Sequence, residues 1–181
     1  ITYLPHFISL VVICGMIVDF FGRTGIISVM LSAFTGEPKN YMSDPKYFRR
    51  IYVITNIWQN IGWDSIIYIA AIAGIDQEMY EAAVIDGAGR FRQIVSITVP
   101  GMASTIIIML IMRIGQMLNV GYEKIILLYN SGTYETADVI SSYVYRMGLA
   151  NSRYSYSTAV SMFQSVINFI LLLGANTLSR K

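Results

Sequence analysis

The chain has a single cysteine, a single histidine and few charges. Cys14 alone can form neither a disulfide within the chain nor a cysteine cluster for zinc or iron–sulfur. With His6 as the one imidazole, most metal-ligand sets and nucleophile–histidine–acid arrangements are excluded as well. Only 13% of the 181 residues are charged, against about a quarter in an average soluble domain. The formal net charge of +2 is too small for a nucleic-acid binder. Gly87-Ala88-Gly89 is the nearest approach to a nucleotide loop, but no Lys-Ser/Thr follows it, so the chain has no phosphate-cradling motif of that kind. What the chain has in abundance is apolar surface: 55% of its residues are hydrophobic and the mean hydropathy is +0.54. Such a composition belongs in a bilayer, where charge is the costly commodity.

A helix needs about 20 mostly apolar residues to cross the hydrocarbon layer. Four stretches qualify: residues 3–21, 51–75, 101–120 and 157–178. The apolar part of the first connector, residues 26–34, is too short to cross and is expected in the interface. Residues 121–156 carry seven of the thirteen tyrosines, a residue that favours the lipid–water boundary. The chain starts inside one hydrophobic segment and ends at Arg180-Lys181 directly after another, so it is expected to be an internal piece of a longer protein.

Residues 76–100 hold the densest pattern. Asp76 can cap a helix over 77–85, whose positive N-terminal end favours Glu78 and Glu81. Asp86-Gly87-Ala88-Gly89 breaks it. A second, amphipathic helix is expected over 90–97, with Phe91, Ile94, Val95 and Ile97 apolar and Arg90, Arg92 and Gln93 polar. Pro100 falls where proline costs least, at the start of the next helix. Ala82 and Ala83 have almost no side chain and permit close approach. The result is a polar helix–turn–helix held between two spanning segments, suited to insertion into a partner's groove.

The order Glu81-Ala82-Ala83, three residues, Gly87, nine residues, Ile97, one residue, Val99-Pro100 resembles the EAA loop of permease subunits in binding-protein-dependent ATP-driven importers. Val99 in place of leucine is the only departure. Residues 3–9 (YLPHFIS), 57–63 (IWQNIGW) and 137–140 (ADVI) look like the branch that handles oligosaccharides and polysaccharides. The resemblance covers essentially the whole chain. It implies an all-α, polytopic membrane helix bundle of the type I importer-permease fold, with about four spanning helices and a cytoplasmic coupling helix–turn–helix at 76–100, all within one transmembrane domain over 1–181.

The resemblance further implies that Glu81, Ala82, Ala83, Asp86, Gly87, Ile97 and Pro100 form the contact to a cytoplasmic ATPase dimer, which binds ATP–Mg while this chain binds no cofactor. A second permease subunit, an extracytoplasmic solute-binding protein, an oligosaccharide substrate and membrane lipid complete the expected partners in a bacterial cell membrane; nucleic acid is not among them. The chain is expected to be a transport subunit rather than an enzyme. A secondary transporter or channel would also show polar residues in its spans, but has no need of such a loop. A permease for a non-sugar solute would share it.

With the loop inside, Arg90, Arg92, Arg180 and Lys181 are cytoplasmic, and Arg23, Lys39, Lys46, Arg49, Arg50, Lys124, Arg146 and Arg153 lie outside. This distribution runs against the positive-inside rule. Within the second stretch Asn56, Gln59, Asn60, Trp63 and Asp64 recur at helical spacing on one face. They suit either the lining of a translocation path, with amides and a carboxylate for sugar hydroxyls and a ring for the sugar's C–H face, or hydrogen bonding between helices. In the third stretch Arg113 and Gln116 share a face, and Arg113 is expected to pair with Asp64 or to meet substrate. Ser157, Ser161, Gln164, Ser165 and Asn168 in the fourth read as a packing face. His6 reads as a packing or interfacial residue.

Overall fold

The computed structural model describes residues 2–179, whose regular structure is all helical, with no strand among them. In chain order the helices are α1 (Leu4–Phe7), α2 (Leu10–Phe21), α3 (Ile26–Thr35), α4 (Pro45–Ala73), α5 (Gln77–Ile85), α6 (Arg90–Gln93), α7 (Val99–Gly101), α8 (Ala103–Gly115), α9 (Tyr122–Leu128), α10 (Tyr134–Ala137), α11 (Ile140–Tyr145) and α12 (Tyr154–Ser179). A π-helical turn, Ile94–Thr98, joins α6 to α7, and a second, Arg146–Ala150, extends α11. The chain forms two contact units: the residues up to Gly62 with Leu118–Val166, and Trp63–Met117 with the residues from Ile167 onward. The long helices α4 and α12 contribute to both.

In the first unit, Ile13, Cys14 and Ile17 lie on one face of α2 and are buried with Tyr41, Met42, Phe48, Ile51, Leu128 and Ala137. The hydrophobic start of the chain is not one continuous helix. It breaks at Ile8–Ser9, where Ile8 turns extended and its N–H bonds Pro5 O at 3.3 Å. Leu10–Phe34, which joins α2 and α3 across residues 22–25, is one of two stretches long and apolar enough to cross a membrane. Residues 26–34, expected in the interface, are thus counted with a span. The other stretch is Tyr154–Thr177 in α12, only 6% of whose window is buried by the chain itself, so nearly all its apolar surface is left for lipid or other protein.

Helix α4 is long enough to cross, with 29 residues from its N-terminal Pro45. It is not among the apolar stretches, because Asn56, Gln59, Asn60 and Asp64 interrupt it. The third expected span, 101–120, is shorter than its sequence suggests. Straight helix there is only the 13 residues of α8, and it crosses only if counted with Arg90–Gly101, from which it is bent by 63°. Against an expectation of about four, the described residues hold two spanning helices, or three with the bent pair, by length and composition.

The tyrosine-rich connector is structured. Asn130 Nδ2 donates to Met42 O at 3.0 Å, tying the segment after α9 to the turn before α4, and Arg49 Nε of α4 donates to Thr136 O of α10 at 3.0 Å. Asp138 accepts from Ser142 Oγ at 2.5 Å and from Arg146 Nη2 at 2.5 Å, and the Arg146 guanidinium lies over the rings of Tyr134 and Tyr143. Burial pushes the Asp138 carboxyl up, but the Arg146 and Ser142 hydrogen bonds outweigh it and hold the group below its ordinary range.

Candidate coupling loop and polar helix face

The loop at 76–100 belongs to the second unit. Asp76 accepts the Glu78 N–H at 3.0 Å and starts α5 as its N-cap. At the other end the Gly87 N–H bonds Val84 O at 3.0 Å, and the Ala88 N–H bonds Ala83 O at 2.8 Å. This closure needs a left-handed residue, and Gly87 supplies it at φ +73°. Two side-chain bonds then fix the hairpin: Gln93 Nε2 donates to Ala88 O at 2.8 Å, and Tyr80 and Thr98 hydroxyls meet at 2.9 Å.

The second helix of the loop departs from the amphipathic α-helix expected over 90–97. After α6 it widens into the π turn, where the Val99 N–H reaches back to Ile94 O. The physical cause is Pro100, which has no N–H to offer Ser96 and whose ring crowds that carbonyl. The wider turn absorbs one extra residue at the site of the conflict.

Glu81, Ala82, Asp86, Gly87 and Pro100 are exposed and Ala83 is half-buried. Ile97 is different: it is buried, as are Ile75 and Met102. Two side chains missed from the motif stand out at the turn, Ile85 at 86% and Phe91 at 80% exposure. Their size and their place beside the polar Asp86–Gly89 turn were the available signal, since a monomer gains nothing from leaving them in water.

Also in the second unit, Arg113 of α8 forms an ion pair with Asp64 of α4, as expected from sequence. Gln116 lies one turn after Arg113, and both are exposed. It ends α8, its N–H bonding Arg113 O at 3.2 Å, and its side chain is exposed. Trp63 is exposed.

In the first unit the polar residues of α4 divide. Asn60 Nδ2 donates to both Asn56 O at 3.0 Å and Asn56 Oδ1 at 3.1 Å. Its Oδ1 is therefore the atom facing His6 Nδ1 at 3.3 Å, and the imidazole must be the donor there. His6, read from sequence as packing or interfacial, thus joins the polar face. Gln59 turns inward instead: it is buried, and its Oε1 accepts from Lys124 Nζ at 3.2 Å. Sequence placed Lys124 among outer surface charges, yet it is 3% exposed, with the Tyr52 ring 5.6 Å from its ammonium. Burial pushes the Lys124 ammonium down, opposed by the nearby Cys14 thiol. In α12, Gln164 is buried and donates to Leu118 O at 2.7 Å, while Ser165 bonds back to Ser161 O at 2.9 Å. Both contacts have the character of packing. Asn168 Oδ1 is buried without a hydrogen-bond partner among the described residues.

The described residues thus form an all-helical chain with membrane-spanning stretches and an exposed helix–turn–helix between α4 and α8. Residues 1–181 match the family described as binding-protein-dependent transport system inner membrane component, and the chain belongs to that family. It is 46% identical over 180 residues to Protein LplB of Bacillus subtilis (strain 168), covering 99% of this chain and 57% of the relative. It is 40% identical over 184 residues to YteP of the same organism, a polygalacturonan/rhamnogalacturonan transport system permease protein, covering 100% of this chain and 57% of YteP. A chain in the crystal structure of a bacterial ABC transporter that imports the acidic polysaccharide alginate superposes with a TM-score of 0.96 at 46% identity, over 99% of this chain and 63% of that one. The same comparison holds for that alginate transporter solved with its pentasaccharide-bound periplasmic protein. The chain spans less than two thirds of the length of these relatives.

Proposed function

We propose that this chain is part of the permease subunit of an ATP-driven importer for oligosaccharides or polysaccharide fragments. One observation carries the reading most directly: an exposed hairpin, closed by a left-handed Gly87, presents Glu81, Ala82, Ile85 and Phe91 together. It has the form of a plug for a groove on a cytoplasmic ATPase dimer, where ATP–Mg is hydrolysed. A second permease subunit completes the path, and an extracytoplasmic binding protein delivers the sugar in a bacterial cell membrane. Relatives that handle polygalacturonan, rhamnogalacturonan and alginate support the sugar assignment.

The mechanism is alternating access. ATP binding closes the ATPase dimer and displaces the docked hairpin. The Tyr80–Thr98 and Gln93–Ala88 bonds make the two short helices move as one lever, and Ile75, Ile97 and Met102 are buried at and beside its ends. Asn56, Asn60, Trp63 and Asp64 are the candidates for path lining, with Arg113 as the partner that neutralises Asp64.

Gly87→Leu in the assembled importer tests the reading. A Cβ at Gly87 meets nothing within 4 Å, so bulk inside the chain is not the obstacle. The left-handed backbone is, at about 1–2 kcal/mol for an ordinary L-residue, together with the loss of a flat docking surface. Substrate-stimulated ATP hydrolysis is expected to vanish while the complex still inserts, and Gly87→Asn, which tolerates this conformation, is expected to retain more of it. Full stimulation in Gly87→Leu would remove the coupling role.

A further inference from the structure

An apolar groove on a membrane-spanning surface has no water to fill it, so it is filled by lipid chain or by protein. Two such grooves lie in the first unit, in the angle between α2, α3 and α4. One, of about 240 Å³, runs between Ile17 and Phe20 of α2, Ile27 of α3, and Ile54 and Trp58 of α4. The other, of about 200 Å³, is bounded by Leu31 of α3, by Tyr41, and by Tyr47, Arg50 and Ile51 of α4. Phe21 and Ile54 line both, so the two adjoin as lobes of one furrow.

On α4 the furrow follows Tyr47, Arg50, Ile51, Ile54 and Trp58, a stripe at helical spacing. At about 100° per residue, Asn56 and Asn60 fall about half a turn away, so the furrow and the polar face are on opposite sides of α4. Thr55, the one hydroxyl of the larger lobe, spends its Oγ1 proton on Ile51 O at 2.7 Å. At the other end the lining turns amphipathic. Tyr41 and Tyr47 stand edge to face there, their rings 5.0 Å apart, beside Arg50. Arg49 is engaged with Thr136 O, whereas Arg50 is exposed and forms no ion pair among the described residues.

Apolar along its length and cationic at one end, the furrow has the polarity of a lipid with an anionic headgroup. Its length agrees. Tyr47 and Trp58 are eleven residues apart, about 16 Å of helix, and one leaflet of a hydrocarbon layer about 30 Å thick is about 15 Å. Tyrosines at the charged end suit the boundary between chains and headgroups. A helix does not fit. About 10 Å across, it needs on the order of 1,200 Å³ over that length, several times either lobe.

We propose that the furrow between α2, α3 and α4 binds one anionic phospholipid of the bilayer, its acyl chain along Ile54 and Trp58 and its phosphate on Arg50. Arg50 is at the end of α4 away from the coupling loop, so on the permease reading the lipid comes from the outer leaflet. The site itself does not depend on that reading.

The test is native mass spectrometry of the complete importer in detergent, titrated with phosphatidylglycerol or with phosphatidylcholine of the same chains. Binding protein is left out, so any part Arg50 has in docking it does not enter. The parent should hold one phosphatidylglycerol per copy of this permease more tightly than phosphatidylcholine. Arg50→Gln should lower that preference about tenfold, the scale of a hydrogen bond to a charged group, and Arg50→Lys should keep part of it. Ile54→Trp fills the furrow from an exposed position, so folding is not at stake, and should weaken both lipids alike. Arg153→Gln removes an exposed charge that does not line the furrow and should change neither. A preference unchanged in Arg50→Gln, or lowered as far in Arg153→Gln, overturns the headgroup assignment. Lipid binding unaffected by Ile54→Trp, or loss of the second permease subunit in its place, overturns the site. No transport or ATP hydrolysis is read, so none of these outcomes bears on the permease assignment.

Discussion

Replacing Gly62 with alanine tests whether the beginning of the chain is locked to α4. Gly62 is buried, and an ideal Cβ built there lies 2.2 Å from Thr2 O, 2.5 Å from Thr2 C and 2.8 Å from Tyr3 N. All three are backbone atoms, so no side chain can swing aside. Real Cβ contacts below 3.0 Å essentially do not occur, and the two segments must separate by about 0.8 Å, the difference between 3.0 and 2.2 Å. Overpacking of this kind costs about 1–3 kcal/mol. The same displacement stretches the His6–Asn60 contact, already 3.3 Å, beyond hydrogen-bonding distance. Gly15→Ala on α2 is the matched control, because its Cβ meets nothing within 4 Å. Thermal unfolding of the purified full-length permease complex should show a lower midpoint for Gly62→Ala and no loss for Gly15→Ala, and a change of about 2–4 °C per kcal/mol is expected for a domain of this size. Stimulated transport should fall in Gly62→Ala, because Asn60 loses the partner that orients it. Equal midpoints for the two variants would refute the close approach and the register of α1 against α4 that depends on it.

Two further predictions follow from the same geometry. Cysteines placed at Asn56, Asn60, Trp63 and Asp64 should react with a water-soluble thiol reagent at rates that depend on nucleotide, while cysteines at Ile57 and Ile61 should stay slow; equal rates on both faces would exclude a water-lined path. Arg49 and Arg50 should separate: Arg49→Gln should lower thermal stability by removing the bond to Thr136 O, whereas Arg50→Gln should leave stability intact and flatten the salt dependence of half-saturation by the binding protein. A salt response unchanged by Arg50→Gln would exclude a steering role for that residue.

Local chemistry made the coupling loop legible in the sequence. Asp76, Gly87 and Pro100 each act within a few residues of themselves, and capping, turn geometry and proline's missing donor are one-dimensional signals. The α5 helix duly runs Gln77–Ile85, with Asp76 as its cap. The ion pair between Arg113 and Asp64 was also foreseeable, since a charge in a span needs a partner and few were available. Three features were not foreseeable. Lys124 reads as an outer charge because periodicity cannot say that α9 packs a lysine against α4 rather than against water. His6 reads as a packing or interfacial residue because its partner is 54 positions away. The bend at Met102 is hidden because residues 101–120 are mostly apolar, and hydropathy registers composition without direction.

The π turn at Ile94–Thr98 also bears on how this loop tolerates change at the level of the gene. Loss of a single codon between Ile94 and Thr98 would remove the residue that widens the turn while leaving Pro100 with no N–H to offer, so the conflict the turn absorbs would return. It would also shorten the fixed run from Gly87 to Pro100. The same loss within α5 would rotate every following residue by about 100° and destroy the arrangement of Glu81, Ala82 and Ile85. In-frame deletions should accordingly be as poorly tolerated just before Pro100 as between Asp76 and Gly87.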